Sequence, residues 1–135
     1  MDFNVNIHPR IAARGPAVKY GDLRSPETLR HAGVDKAGVI VCTIPDDVLK
    51  GTSNLKLVEV ARALNPEAVI IANAIELKDS RKLYEAGADY VFLPRIETAR
   101  AVERAIEQAL AGEIGTFRAQ VEAMEGEWHS RREVL

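Results

Sequence analysis

Gly38-Val-Ile-Val-Cys-Thr-Ile-Pro-Asp-Asp47, running on to Pro66, is the stretch whose reading decides the fold. Val39 to Thr43 is an unbroken, mostly β-branched apolar run. That pattern predicts a strand covered on both faces, since a strand with one wet face would alternate. Ile44 to Asp47 reads as a turn, and a helix follows from about Thr52 to Leu64. Buried strand, polar turn and helix together make the βα unit of an open α/β sheet. In such sheets ligands bind beyond the carboxyl ends of the strands, where Thr43, Pro45 and Asp46 stand.

The rest of the chain repeats this grammar. Downstream, Ala68 to Asn73 reads as a second buried strand, and an amphipathic helix runs from Leu77 to Ala86, closed by Gly87. Tyr90 to Leu93 is a third short strand, ended by Pro94. Ile96, Ala99, Val102, Ile106 and Leu110 keep helical spacing along a helix to about Gly112. Gly112 and Gly115 then punctuate the chain. Ile114, Phe117, Val121, Met124 and Trp128 form a heptad-like stripe in a tail from Thr116 to Arg132, suited to docking on this domain or on a partner. Upstream, Ser25 is a good N-cap with Pro26 at the first helical position, and that helix stops at Gly33. Ala17 to Tyr20 reads as a short strand, and Ile7 to Arg14 as a short helix capped by Asn6.

Strands alternating with helices predict the α/β class, with a mainly parallel, Rossmann-like sheet of about four strands and right-handed crossovers. The expected organisation is one domain over residues 1–112 and an amphipathic helical tail over 113–135. The 135 residues suffice for one sizeable core. A net charge of −2 gives no electrostatic case for nucleic acid or an acidic membrane. No apolar run approaches a membrane span, and no basic-then-apolar secretory signal opens the chain. The one cysteine, Cys42, lies inside the predicted strand, where a thiol is inert packing. Together these features suggest a cytoplasmic setting.

Several segments, taken in order, resemble regulator-of-potassium-conductance (RCK) domains. Val18-Lys-Tyr-Gly-Asp22, Ser25-Pro-Glu-Thr-Leu29 and His31-Ala-Gly33 resemble the segment after that family's third strand. Val39-Ile-Val-Cys-Thr-Ile-Pro-Asp46 resembles its fourth strand and turn. Asn54-Leu55, Ala61-Arg62, Leu64-Asn-Pro66 and Ile70-Ile-Ala72 continue the match. Tyr84-Glu-Ala-Gly-Ala-Asp89, followed by Val91 and Pro94-Arg95, is the most specific piece. The resemblance covers roughly residues 2 to 111, and is strongest to the cytoplasmic nucleotide-binding domains of potassium-efflux-type monovalent cation:proton antiporters. It implies a doubly wound fold lacking its N-terminal unit, because the first strand, the Gly-x-Gly-x-x-Gly loop and helix A have no counterpart in these residues.

The resemblance also implies a cofactor, NAD or an adenine nucleotide such as AMP or ATP. In the family an acidic residue ending strand 2 bonds the ribose hydroxyls, and Asp2 occupies that place. Asp22 would meet the adenine amino group, which needs an acceptor. Thr43, Ile44 and Pro45 would pass the nucleotide phosphates. The residues by themselves leave bland uses open: Asp2 as a loose terminal residue, Asp22 as a turn aspartate bonding its own backbone, and Thr43 to Pro45 as plain strand termination. Asp46 and Asp47 read as a solvated turn, because adjacent carboxylates point apart and a hard cation needs more ligands. Arg95 reads as a surface arginine. His8, His31 and His129 are scattered, with no zinc spacing and no nucleophile–base pair.

The function expected is a regulatory nucleotide-binding module of a potassium or other monovalent cation transport system, not an enzyme. Its partners would be a second copy of itself in a homodimer and the membrane part of the transporter. The competing readings are an assembly module with no ligand and a fragment of a nicotinamide-dependent oxidoreductase. Without a glycine loop, nucleotide binding is expected to be weak. Without strand 1, the edge of Val39 to Thr43 is expected to pair with another strand or chain. Trp128, closing the tail stripe, is expected to be at least partly buried.

Overall fold

The computed structural model describes Lys19 and residues 21–125. The expected helix from Ile7, most of the strand Ala17 to Tyr20, Asp2 and Trp128 lie outside the described residues. The chain divides into two compact units, Met1–Pro94 and Arg95–Leu135.

In the first unit, helix α1 (Pro26–His31) starts as its sequence predicts, with Ser25 Oγ accepting from the Thr28 N–H at 3.3 Å. A 3-10 turn, Val34–Lys36, leads into strand β1, Val39–Cys42. Helix α2 covers Asn54–Leu64, strand β2 Val69–Asn73, helix α3 Leu77–Glu85 and strand β3 Tyr90–Phe92. The three described strands are parallel in the order β1-β2-β3, with Val39 beside Val69 and Ile71 beside Tyr90. The parallel α/β expectation holds, with three strands among the described residues rather than about four. Helix α2 begins two residues later than its sequence suggests, because Ser53 takes the cap by accepting from the Lys56 N–H at 3.2 Å.

The core lies on one face of this sheet. Val58 and Ala61 of α2, Leu83 of α3, and Ile70, Ala72 and Val91 of the strands form its centre, with Val58, Ile70 and Ala72 fully buried. A second cluster joins Leu29 of α1, Leu49 of the following turn and Leu57 of α2. Strand β1 departs from expectation. It alternates, with Ile40 and Cys42 half-buried while Val39 is 57% and Val41 51% exposed. The apolar run therefore did not signal cover on both faces. The helices of this unit pack on the even-numbered β1 side chains, and β-branched residues also suit a half-buried pleated surface.

The amino ends of β2 and β3 are gathered by one side chain. All five N–H groups of the Arg62 guanidinium are used. Nε and Nη2 donate to the Gly87 carbonyl at 3.1 and 2.7 Å. Nη1 donates to the carbonyls of Pro66 and Ala68 at 2.7 and 2.8 Å, and Nη2 also reaches Asp89 Oδ2 at 2.8 Å. Asp89 Oδ2 accepts in turn from the Ile70 N–H at 2.7 Å. Gly87 has φ of 108°, and a Cβ there would stand 3.0 Å from Arg62 Cγ. Both the left-handed backbone and the arginine stem thus require glycine.

Helix α4 spans Pro94–Leu110, all but its first residue in the second unit, and helix α5 spans Ile114–Glu125. Pro94, expected to end the third strand, also serves as the first residue of α4, where its missing N–H costs nothing. Gly112 separates the helices with φ of 75°, whereas Gly115, expected to punctuate, lies inside α5. Helix α4 has no buried residue, and Val102, Ile106 and Leu110 are exposed.

Two outcomes are expected. Arg62→Lys leaves at most three donors where five are used, stranding carbonyls at the sheet's amino end, so unfolding in urea should show a loss of about 2–3 kcal/mol. Asp89 is held below its usual pKa of 3.8, first by the Ile70 N–H and then by the Arg62 guanidinium. A carboxylate with a lowered folded pKa contributes stability above its ordinary value and loses it as pH falls through the lowered one. The melting temperature should therefore drop on acidification below pH 4 (about the ordinary value), and Asp89→Asn should show a smaller drop over that window.

Candidate functional site

The carboxyl end of β1 holds Thr43, Ile44 and Pro45 of the sequence-predicted residues, and it is built from three segments: the turn after β1, the start of α2 and the end of β2. Thr43 leaves β1 exposed, and Ile44 and Pro45 are half-buried. The Pro45 carbonyl accepts from the N–H groups of Val48 and Leu49 at 3.0 and 3.1 Å, closing the turn. Asp46 is an exposed turn residue, as expected, and its carboxylate also reaches the start of α2. Its Oδ1 accepts from the Asn54 N–H, at 2.6 Å, and from Asn54 Nδ2, at 2.8 Å. A carboxylate there complements the partial positive charge at the start of the helix.

Two asparagines behind this turn were not singled out by sequence. Asn54 and Asn73 are each 1% exposed. Asn54 Nδ2 donates to the Ile44 carbonyl at 2.9 Å, and Asn73 Nδ2 donates to the carbonyls of Cys42 and Ile44 at 2.9 and 3.1 Å. Their Oδ1 atoms are buried without a hydrogen-bond partner, as is Thr52 Oγ1. A signal was present for each: Asn73 is a polar side chain at the end of an otherwise apolar strand, and Asn54 begins a helix whose cap, Ser53, is already supplied.

Two cavities open at this end. One of about 260 Å³ follows the edge of β1 and is lined by Thr43 and Ile44 together with Gly33, Val34 and Leu23. The other, about 490 Å³, is lined by Asp22, Leu23, Arg24, Lys50, Gly51 and Thr52. Asp22 and the Thr43 turn therefore face different cavities that share Leu23, and Pro45 lines neither. Asp2 lies outside the described residues.

Asp22 has a partner in its own loop. Its Oδ1 accepts from the Arg24 N–H and Nε, both at 2.9 Å, and its Oδ2 accepts from Nη2 at 2.7 Å. These bonds from the Arg24 side chain and backbone lower the Asp22 pKa to about 2. The arginine stem lies on Gly51, where a Cβ would meet Arg24 Cδ at 2.9 Å and where φ is 73°. Cys42, beside the first cavity, has its thiol pushed up to about 11 by burial, so it stays protonated and unreactive near neutral pH. Among the described residues, no three His, Cys, Asp or Glu side chains gather as metal ligands. No described helix is long and apolar enough to cross a membrane.

The cofactor that the resemblance implies can be tested against this geometry. The second cavity offers the Asp22 carboxylate, already engaged by Arg24, and Lys50. A phosphate cradle is not matched: the start of α2 already holds the Asp46 carboxylate, and the sequence has no glycine-rich loop.

Comparison with known proteins agrees with this architecture. The model of the TrkA-N domain family matches residues 1–94. "Probable potassium channel protein 2" of Methanocaldococcus jannaschii is 36% identical over 98 residues, covering 72% of this chain and 27% of that protein. The crystal structure of the TrkA-N domain of the inner membrane protein ybaL from Escherichia coli superposes with a TM-score of 0.65 at 27% identity, covering 75% of this chain and 72% of that one. The GsuK channel bound to NAD gives a TM-score of 0.58 at 28% identity, over 74% of this chain and 18% of that one. The chain thus spans about a quarter of the curated relative and less of the channel. The RCK resemblance read from its sequence is upheld, and the chain belongs to the TrkA-N domain family.

Proposed function

We propose that this chain is a regulatory, non-catalytic nucleotide-binding module of a potassium or monovalent cation transport system, working in the cytoplasm with the transporter's membrane part. The observation that carries the reading is the cavity lined by Asp22, Arg24, Lys50 and Gly51 on the carboxyl side of a TrkA-N sheet. NAD bound to a related channel and a curated potassium-channel relative support it. In this reading Asp22 accepts from the adenine amino group, Arg24 and Lys50 offset phosphate charge, and Thr43 and Ile44 flank the phosphates. NAD would act as a ligand whose binding energy biases domain packing, and the coupling would be reciprocal between nucleotide and gate. The chain would pair with a second copy, since a regulatory domain transmits force through a partner.

The Arg24–Asp22 fork sets the strength of binding. An adenine amino group must share an acceptor that already serves an arginine, and among the described residues the phosphates meet no cradle of backbone N–H groups. A second reading, an assembly module without ligand, draws on the Asp46 carboxylate filling the start of α2. Calorimetric titration with AMP, ATP and NAD separates the two. The expected dissociation constant is near millimolar, about −4 kcal/mol. No heat up to solubility favours the assembly module, and a micromolar constant would show that another segment holds the phosphates.

Self-association is expected from two features: β1 is an edge strand among the described residues, with Val39 and Val41 exposed, and α4 carries exposed Val102, Ile106 and Leu110. Parallel sheets and apolar helix stripes are normally covered. Light scattering from micromolar to millimolar concentration should give a dimer mass. A monomer throughout would overturn this.

A further inference from the structure

We propose that Asn73, assisted by Asn54, is a positioning residue that fixes the Thr43–Pro45 turn through the Ile44 carbonyl. That carbonyl receives two amide N–H bonds, 2.9 Å from Asn54 and 3.1 Å from Asn73. The two donors come from separate elements, the last residue of β2 and the first of α2. Each amide has a second acceptor, Asp46 Oδ1 for Asn54 at 2.8 Å and the Cys42 carbonyl for Asn73 at 2.9 Å. Both protons of each Nδ2 are therefore committed, and exchanging amide O for N would set oxygen against oxygen.

The arrangement extends the sheet by side chain where the backbone ladder stops. Backbone pairing of β1 with β2 ends at Cys42 beside Ala72. One residue further, Asn73 takes over and holds the carbonyls of Cys42 and Ile44, on either side of Thr43. The Cys42–Thr43 and Ile44–Pro45 peptide planes are thereby set, and they bracket the Thr43–Ile44 segment that lines the first cavity. Pro45 adds a fixed φ to the next residue, so the turn has little freedom left.

The cost of the device argues that it does more than fill space. Asn54 Oδ1 and Asn73 Oδ1 are buried without hydrogen-bond partners. A buried polar atom left unpaired is unfavourable, and an apolar side chain of similar size would avoid it. What the amides supply, and valine or leucine cannot, is a pair of carbonyls held in one orientation. Asn73 lines neither cavity but bonds two residues that line the first, so its role is to orient the turn.

The consequence for ligand binding rests on the nucleotide reading above, so the test has a ligand-free arm. Amide hydrogen exchange and NAD titration are followed by NMR on the 135-residue chain for the native sequence, Asn73→Val, Asn73→Ser and Arg62→Lys. The Val48 and Leu49 amides report on the turn because they bond the Pro45 carbonyl. Asn73→Val, which removes both bonds to the turn's carbonyls, should speed their exchange about fivefold beyond any change at Ile70 and Ala72. Asn73→Ser, which keeps one donor, should fall between Asn73→Val and the native chain and serves if the valine variant does not fold. Arg62→Lys, acting at the other end of the sheet, should change turn and strand amides together. Where the native chain shifts its Thr43 signal with NAD, Asn73→Val should weaken that binding while Arg62→Lys leaves it unchanged. Exchange at Val48 and Leu49 that merely tracks Ile70 in both Asn73 variants overturns the positioning role, as does unchanged NAD affinity in Asn73→Val. A native chain with no NAD shift at Thr43 removes the nucleotide reading of this turn, and the exchange arm alone then decides.

Discussion

The Arg62 guanidinium is the interaction on which the rest of the first unit depends. It takes the carbonyls of Pro66, Ala68 and Gly87, and the Asp89 carboxylate, into one planar fork. Those groups belong to the segment entering β2 and the segment entering β3. Because Asp89 Oδ2 also accepts from the Ile70 N–H, the register of β3 on β2 is tied to the same arginine. Most other ion pairs here, such as Lys56 with Glu59 and Arg100 with Glu97, join exposed neighbours within one helix turn. Such pairs contribute ~0–1 kcal/mol each. Arg62 differs because its side chain is only 26% exposed and most of its bonds end on carbonyls that strand pairing does not satisfy.

The sheet is thus fastened at both ends by side chains. Arg62 closes the amino end, and the Asn54 and Asn73 amides close the carboxyl end around Ile44. Between them lies a small core in which Val58, Ile70 and Ala72 are fully buried. The two ends differ in how completely they are satisfied. The arginine uses every donor it has, whereas the asparagines leave their oxygens unpaired. In α/β sheets the amino end serves stability and the carboxyl end serves ligands. The incomplete satisfaction falls at the end expected to do the work.

Much of this was legible in the sequence, for identifiable reasons. Ser25-Pro26 marked the start of α1 because a side-chain oxygen and a fixed φ are local requirements. The apolar runs at Val39, Val69 and Tyr90 marked strands, and the ordered family resemblance was upheld. The failures were non-local. The β1 run was read as covered on both faces, yet Val39 and Val41 are exposed, because period and propensity do not say which neighbours arrive. Asp46 is the solvated turn residue expected, but its acceptor role was not foreseen because it depends on Asn54, eight residues on and around a turn. Arg62 looked like any helix arginine, and its partners stand up to 27 residues away.

The sequence by itself determined the order of the described strands and helices, the parallel α/β class, and the placement of Thr43 at the carboxyl end of its strand. These follow from periodicity, capping and turn chemistry, each written in a few adjacent residues. Only the tertiary structure decided that Asp22 is shared with Arg24, that Asp22 and Thr43 face different cavities, and that Asn54 and Asn73 meet on one carbonyl. Those facts depend on which side chains the folded backbone brings within hydrogen-bonding distance, and such distances are set only when β1, β2 and α2 pack together.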